Sequence, residues 1–140
     1  MNIAIMAHDK KKELMVQFCI AYKGILEKHS LSATNTTGRL VAEATGLPIT
    51  LYLSRAQGGQ QQVGARIAYN EIDLVLFFTD PGCNDPVQEQ NLLQIERLCD
   101  MHNGPFATNL ATAEMLTLGL ARGDLDWREG NGKSAPLYDF

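Results

Sequence analysis

Hydroxyl side chains are concentrated in one short stretch of the chain, Ser32 to Gly38, which reads Ser-Ala-Thr-Asn-Thr-Thr-Gly. A segment that predicts a helix follows directly, from Arg39 to Thr45. Hydroxyl groups beside the free backbone N–H groups at the start of a helix are donors suited to a phosphate or a carboxylate. The same residues also serve as ordinary helix caps, with Thr36 or Thr37 as the candidates. Two interpretations, an anion site and a simple cap, are therefore open for this stretch.

Polar residues also follow four other short apolar segments of the chain. They are His8-Asp9, the loop from Ser54 to Gln62, Asp80, and Thr108-Asn109. Short apolar runs without helical periodicity predict strands, and the amphipathic segments between them predict helices. In a parallel sheet, ligands bind at the carboxyl ends of the strands, where all of these polar residues fall. This shared position favours the anion site.

Five strands alternate with five helices in the predicted fold, which indicates an α/β domain with a mainly parallel sheet between layers of helices. The predicted strands are Ile3–Ala7, Leu31–Ala33, Pro48–Leu53, Ile72–Phe78 and Pro105–Asn109. The predicted helices are 10–28, 37–45, 61–70, 87–101 and 112–121, with Asp9 as the expected N-cap of the first. We expect residues 1–140 to form a single domain, with a polar, irregular tail from 124 to 140.

Composition and charge exclude several classes of protein. The net charge of −4 argues against a broad face for a nucleic-acid polymer. The cysteines Cys19, Cys83 and Cys99 are scattered and odd in number, which argues against a disulfide framework and against a zinc site. No run approaches the roughly 18 apolar residues of a membrane span. We therefore expect a cytoplasmic protein with no metal and no membrane partner.

Together these motifs resemble the methylglyoxal synthase family over nearly the whole chain. The resemblance is carried by Ala7–Lys12, Ala33–Gly38, Gly58–Gly64, Phe77–Pro81 and Pro105–Asn109. It implies a three-layer domain with a five-stranded, mainly parallel sheet, and a homohexamer. Members of the family convert dihydroxyacetone phosphate to methylglyoxal and phosphate without a cofactor, through a carboxylate base.

The resemblance also assigns roles to individual residues. It implies that the phosphate is bound by Lys12, Thr34, Thr36, Thr37 and Ser54, within motifs that include Gly38 and Gly59. His8 and Asp9 match the His-Asp pair of the family, and Asp80 matches the aspartate of its Asp-Pro turn.

Departures from the family pattern are concentrated where the chemistry should occur. Gln60 stands where the family has its proposed catalytic aspartate, and a carboxamide is no base at neutral pH. The family's histidine that polarises the substrate carbonyl is replaced by Gln88, with Asn91 at the aspartate that follows, if one residue is inserted in the loop after Pro81. Asn35 replaces a glycine of the threonine motif, so that its side chain should intrude on the pocket, and Arg55 adds a cation beside Ser54.

Retained anion donors with amides at the reaction centre predict a site that binds without reacting. The expected ligand is a phosphorylated small molecule or a nucleotide. The alternative is an active methylglyoxal synthase in which Asp9 or Asp80 is the base, and a third possibility is a subunit without a small ligand.

Overall fold

The computed structural model describes residues 1–129, which contain one five-stranded sheet. All neighbouring strands are parallel, in the order β3-β2-β1-β4-β5. The strands are β1 (Asn2–Ala7), β2 (Ser30–Ala33), β3 (Ile49–Leu51), β4 (Leu74–Phe78) and β5 (Phe106–Ala107). The predicted α/β class and sheet are confirmed. None of the helices within residues 1–129 is long and apolar enough to span a lipid bilayer.

Helices cover both faces of this sheet and divide the core into two halves. They are α1 (Lys12–Ala21), α2 (Lys23–Leu26), α3 (Asn35–Thr45), α4 (Gly59–Ala68), α5 (Pro86–Met101) and α6 (Leu110–Arg122). Successive strand residues point to opposite faces, so Ile3 and Ile5 pack with the side that holds α1, α3 and α6. Ala4 and Met6 pack with α4 and α5 on the other side.

The first helical segment is interrupted, although its sequence predicts one helix from 10 to 28. A 3-10 turn, Asp9–Lys11, comes first, and α1 ends at Ala21 because Tyr22 leaves helical geometry, with φ −105° and ψ 18°. Asp9 makes no side-chain capping bond, so its predicted role as N-cap was wrong. The carboxylate is instead available to the side chains around it.

Two other helices begin two residues earlier than the apolar periodicity predicts. The helix α3 starts at Asn35 and α4 starts at Gly59. Their first residues are polar or glycine and carry no apolar stripe, so the pattern of buried residues does not reach them. The earlier starts place the threonine motif and the Gly59-Gln60 pair in the first turns of two helices.

The segment after α6 is ordered up to the last described residue, contrary to the expected irregular tail. Asp126–Glu129 forms a 3-10 turn, and the side chain of Arg128 is fully buried. It is buried against Asp73 and the loop carbonyls that precede β4 and β5. Sequence polarity alone gave no sign of this contact. Residues 130–140 of the predicted tail lie outside the described residues.

Candidate functional site

A small cavity lies at the carboxyl ends of β1, β2 and β3, where the polar motifs were predicted to meet. Its volume is about 140 Å³. The lining residues are Ala7, Asp9, Lys12, Thr34, Thr36, Thr37, Ser54, Arg55, Ala56 and Gln60. The structure thus brings together eight of the residues that the sequence singled out. Ala7 and Ala56 were not predicted, since a small apolar side chain carries no chemical signal.

The start of α3 presents the threonines of this cavity. Thr34 is the N-cap residue, with φ −61° and ψ 153°, but its side chain makes no capping hydrogen bond. The hydroxyl oxygen of Thr37 is buried and has no hydrogen-bond partner within residues 1–129. The interpretation of Thr36 or Thr37 as a simple cap is therefore wrong. The first N–H of α3, on Asn35, donates to the carbonyl oxygen of Leu53, so the donors suited to an anion are the hydroxyls and the N–H groups of Thr36 and Thr37.

A two-glycine turn places the start of α4 at the same cavity. Gly58 has φ +101°, a backbone angle that residues other than glycine rarely adopt. A Cβ on Gly59 would lie 1.9 Å from the carbonyl oxygen of Leu53. The next residue, Gln60, is only 6% exposed, and its side-chain oxygen has no hydrogen-bond partner among the residues that the structure describes. Gly59 thus shapes the site through its backbone and does not line the cavity.

Two cations and one carboxylate give the cavity its charge. Lys12 Nζ donates to Asp9 Oδ1 at 2.9 Å and to the carbonyl oxygen of Ala7 at 3.2 Å. Arg55 Nη1 lies 3.9 Å from the same carboxylate oxygen of Asp9. The hydrogen bond and charge of Lys12 lower the pKa of Asp9, with a smaller contribution from Arg55. Asp9 is therefore a carboxylate at neutral pH, between two cations.

His8 is held in one orientation beside this cavity. Its Nδ1 accepts a hydrogen bond from the backbone N–H of Asp80 at 2.8 Å, so the ring proton of the neutral form lies on Nε2. That Nε2 atom is buried and has no hydrogen-bond partner in the described part of the chain. Burial lowers the pKa of His8, although the charge of Asp80 opposes the shift. The structure therefore holds a neutral imidazole with a free N–H donor.

Asp80 and Gln88 lie outside the lining of the cavity. Asp80 Oδ1 accepts from the backbone N–H of Gly82 at 2.9 Å, which orders its own turn. Gln88 accepts from Arg55 Nη1 at 3.1 Å and lines a neighbouring cavity of about 360 Å³. Gln88 therefore contacts the cavity wall through Arg55, whereas Asp80 contacts His8, through its backbone N–H.

Asn35 and Gly38 act on the backbone around the cavity. Asn35 is not among the lining residues, and its N–H donates to the carbonyl oxygen of Leu53 at 3.3 Å. The expectation that its side chain intrudes on the pocket was wrong, because Asn35 is the first residue of α3 and has no positive φ. At Gly38 a Cβ would lie 3.0 Å from Ala33 Cβ and 2.3 Å from Leu51, so glycine lets α3 pack closely on the sheet.

Comparison with known proteins identifies similar sequences across most of this chain. A family model described as "MGS-like domain" matches residues 14–108. Methylglyoxal synthase from Caldicellulosiruptor saccharolyticus is 60% identical over 92% of this chain and 91% of its own length. Methylglyoxal synthase from Thermoanaerobacter sp. (strain X514) is 54% identical over 92% of this chain and 97% of its own.

A solved structure shares the fold. The crystal structure of methylglyoxal synthase from Elizabethkingia anophelis NUHP1 superposes with a TM-score of 0.74 and 39% sequence identity. The match covers 83% of this chain and 76% of that protein.

Proposed function

The chain belongs to the MGS-like domain family, and on that premise we propose that it is an active methylglyoxal synthase. This enzyme is a carbon–oxygen lyase that converts dihydroxyacetone phosphate to methylglyoxal and inorganic phosphate. The observation that carries the proposal is the set of unpaired polar groups that line the cavity (Thr37 and Gln60) or lie beside it (His8). Within residues 1–129, four buried side-chain polar atoms lack a hydrogen-bond partner, and those of His8, Thr37 and Gln60 are three of them.

The prediction of a site that binds without reacting was wrong. Relatives that are 54–60% identical over 92% of the chain are methylglyoxal synthases, which favours the alternative that we derived from Asp9 and Asp80. Replacing one carboxylate with Gln60 removes one base. The rest of the cavity keeps a carboxylate, two cations and a neutral histidine beside it.

Phosphate binding is supported by the starts of α3 and α4. Neither helix has a side-chain cap, and residues from both first turns line the cavity. A helix N-terminus carries a partial positive charge and free N–H donors, which favour an anion. The Lys12 ammonium and the hydroxyls of Thr34, Thr36, Thr37 and Ser54 complete a set of donors for a phosphate group.

Asp9 is the better candidate for the base. It is the one acidic residue that lines the cavity, whereas Asp80 orders its own turn. Its lowered pKa makes it a weaker base than an ordinary aspartate, and the carboxylate is deprotonated at neutral pH, which is the state that accepts a proton. The neighbouring cations attract the dianionic substrate to the same carboxylate.

In the first step, Asp9 removes a proton from the hydroxymethyl carbon beside the ketone, and the carbonyl oxygen becomes the enediolate oxygen. The free Nε2–H of His8 is the donor that stabilises this developing charge. In the second step the C–O bond to phosphate breaks, and its electron pair leaves on the phosphate. The former hydroxyl becomes the aldehyde as its proton passes to the phosphate. The remaining enolate then takes the first proton back at its terminal carbon and becomes the methyl group.

The size of the cavity supports a small substrate. Its volume of about 140 Å³ is well below the roughly 300–1,000 Å³ of pockets for drug-sized ligands. A triose phosphate is therefore a better match than a nucleotide. The homohexamer and the cytoplasmic location expected from the resemblance stay predictions.

The test is an assay of the purified protein with dihydroxyacetone phosphate, with methylglyoxal and phosphate both measured. We expect turnover by the wild type and a loss of about 10²-fold or more in Asp9→Asn, the range expected when a positioned base is removed. Asp100→Asn, an exposed carboxylate on α5, is the matched control and should keep full activity. Absence of methylglyoxal from the wild type would overturn the function. Full activity in Asp9→Asn would reject Asp9 as the base.

A further inference from the structure

A line of polar side chains connects the start of α5 with the cavity. Gln88 Nε2 donates to Asp85 Oδ2 at 3.3 Å, and Gln88 Oε1 accepts from Arg55 Nη1 at 3.1 Å. The same Nη1 atom lies 3.9 Å from Asp9 Oδ1, which accepts from Lys12 Nζ at 2.9 Å. Two of these contacts, Gln88–Arg55 and Arg55–Asp9, thus join a helix on one side of the sheet to the carboxylate of the cavity.

We propose that Gln88 is a positioning residue, which holds the guanidinium of Arg55 against Asp9 and over the phosphate cavity. This inference rests on the proposed function, because it concerns the same cavity. It assigns Gln88 a role that acts through Arg55, without direct contact to the substrate. It also explains how a glutamine can be functional at a place where the resemblance implies a histidine.

Arg55 requires a positioning residue because of where its side chain lies. Its side chain is 37% exposed and lies on the wall between the 140 Å³ cavity and the neighbouring 360 Å³ cavity. A long, flexible side chain at that place loses rotamer freedom when it is fixed on one side. One hydrogen bond from Gln88, on the 16-residue helix α5, restricts Arg55 to the side that faces Asp9.

Gln88 is itself anchored at its other end. Asp85 is the N-cap of α5, and its Oδ1 accepts from the backbone N–H of Val87 at 3.0 Å. Its second oxygen accepts from Gln88. The amide of Gln88 is therefore oriented, with its N–H₂ toward the cap and its oxygen toward the cation. Reversal of the amide would place its N–H₂ against the guanidinium.

Two measurable properties follow from this arrangement. The charge of Arg55 contributes to the affinity for phosphate, because it lines the cavity. It also helps to keep Asp9 ionised, beside the larger contribution of Lys12. A variant that releases Arg55 should weaken phosphate binding and raise the pKa of Asp9, although it leaves every lining residue in place.

A double-mutant cycle tests the proposal, with Gln88→Met, Arg55→Ala and the combined variant. Methionine keeps the length of glutamine and removes the acceptor. The control is Gln90→Met, because Gln90 is exposed on the same helix. The readouts are the dissociation constant of inorganic phosphate, by calorimetry, and the pKa of the Asp9 carboxyl, by ¹³C NMR titration.

Gln88→Met should raise the dissociation constant by about two- to fivefold, as expected for one partly exposed hydrogen bond to a charged group. It should also raise the pKa of Asp9, and Gln90→Met should change neither quantity. In the Arg55→Ala background, Gln88→Met should have no further effect, because residues in one network are not additive. Additive effects, or equal behaviour of Gln88→Met and Gln90→Met, would overturn the proposal. Both readouts are independent of turnover, so a failure of the proposed lyase activity is recognised separately.

Discussion

The two ends of the sheet differ in whether their buried polar groups have hydrogen-bond partners. At the carboxyl end, His8, Thr37 and Gln60 each bury a polar atom that has no hydrogen-bond partner within the described residues, 1–129. At the amino end, the fully buried Arg128 is surrounded by acceptors. These are Asp73 Oδ1 at 3.4 Å, the carbonyl oxygens of His102, Asn103 and Ile72 at 2.9, 2.7 and 3.4 Å, and Asn70 Oδ1 at 3.1 Å.

Under the proposed function, this difference distinguishes groups that stabilise the fold from groups that bind the ligand. An unpaired buried polar group costs roughly 1–3 kcal/mol. The carboxyl end bears that cost in the free protein, and a bound ligand would supply the missing partners. At the amino end, the guanidinium of Arg128 has its donors satisfied by acceptors of the protein itself. The same kind of atom, buried nitrogen or oxygen, therefore has different consequences at the two ends.

The largest effect, on the free energy of unfolding, should follow from Arg128→Met, which removes the buried hydrogen-bonded guanidinium at the amino end of the sheet. Removing one member of a buried ion pair costs about 3–5 kcal/mol, because Asp73 stays buried without its arginine. Urea denaturation should show this loss in the free energy of unfolding. Affinity for inorganic phosphate should be unchanged under conditions where the variant is folded.

Arg122→Met is the control for this prediction. Arg122 pairs with Asp124 at 2.8 Å, but both side chains are more than half exposed. Such a pair contributes about 1 kcal/mol or less. Equal losses of stability in the two variants would remove the distinction between the buried and the exposed pair.

A smaller effect, on phosphate binding and not on stability, is expected for Thr37→Val at the carboxyl end of the sheet. The substitution removes a buried hydroxyl without a partner, so stability should be unchanged or slightly increased. Phosphate affinity should fall by about fivefold or more, the value of one hydrogen bond to a charged ligand. Thermal denaturation and calorimetric titration measure the two quantities.

Thr45→Val, on the same helix, should show the reverse pattern. The Thr45 hydroxyl donates to the carbonyl oxygen of Val41 at 2.7 Å and accepts from the N–H of Leu47 at 3.1 Å. Its removal should cost about 1 kcal/mol of stability and leave phosphate binding unchanged. If both valine variants lose stability equally, the comparison between the two ends fails.

The smallest effect concerns the pH dependence of stability at His8. Burial holds its pKa in the folded protein below the ordinary value of 6.5. Below pH 6.5 the unfolded chain binds the proton more readily, so the folded state should lose stability as the pH falls through the interval between the two pKa values. Urea denaturation between pH 7 and pH 5 should show the loss, and His8→Gln should reduce it. The pKa of His29 is lowered in the same direction, so some pH dependence should remain in that variant.

The sequence was sufficient for the fold and for most of the cavity. Apolar runs and helical periodicity predicted all five strands, and the polar residues after them did converge at one end of the sheet. Local patterns could not predict Arg128, because its partners lie 25–58 residues away in the chain. Nor could they show that Gln88 contacts Arg55, 33 residues earlier, since that contact depends on how α5 packs.

Expectations about chemistry were less accurate than expectations about structure. The change at Gln60 was interpreted as a loss of reaction, because a missing base is visible in the sequence. The orientation of His8 is not visible there, since it is set by the backbone N–H of Asp80, 72 residues away. A donor whose orientation is set by a distant backbone group produces no recognisable motif in the sequence.

Gly59 has a consequence for how this site can change by mutation. Its close approach to Leu53 fixes the path of the backbone, so the direction in which residue 60 enters the cavity does not depend on which side chain stands there. A saturation library at position 60 should therefore yield folded proteins with many different side chains, whereas a library at position 59 should retain only glycine. Backbone geometry thus restricts position 59, whereas position 60 is free to carry different functional groups. Neighbouring positions in one turn can therefore evolve at very different rates.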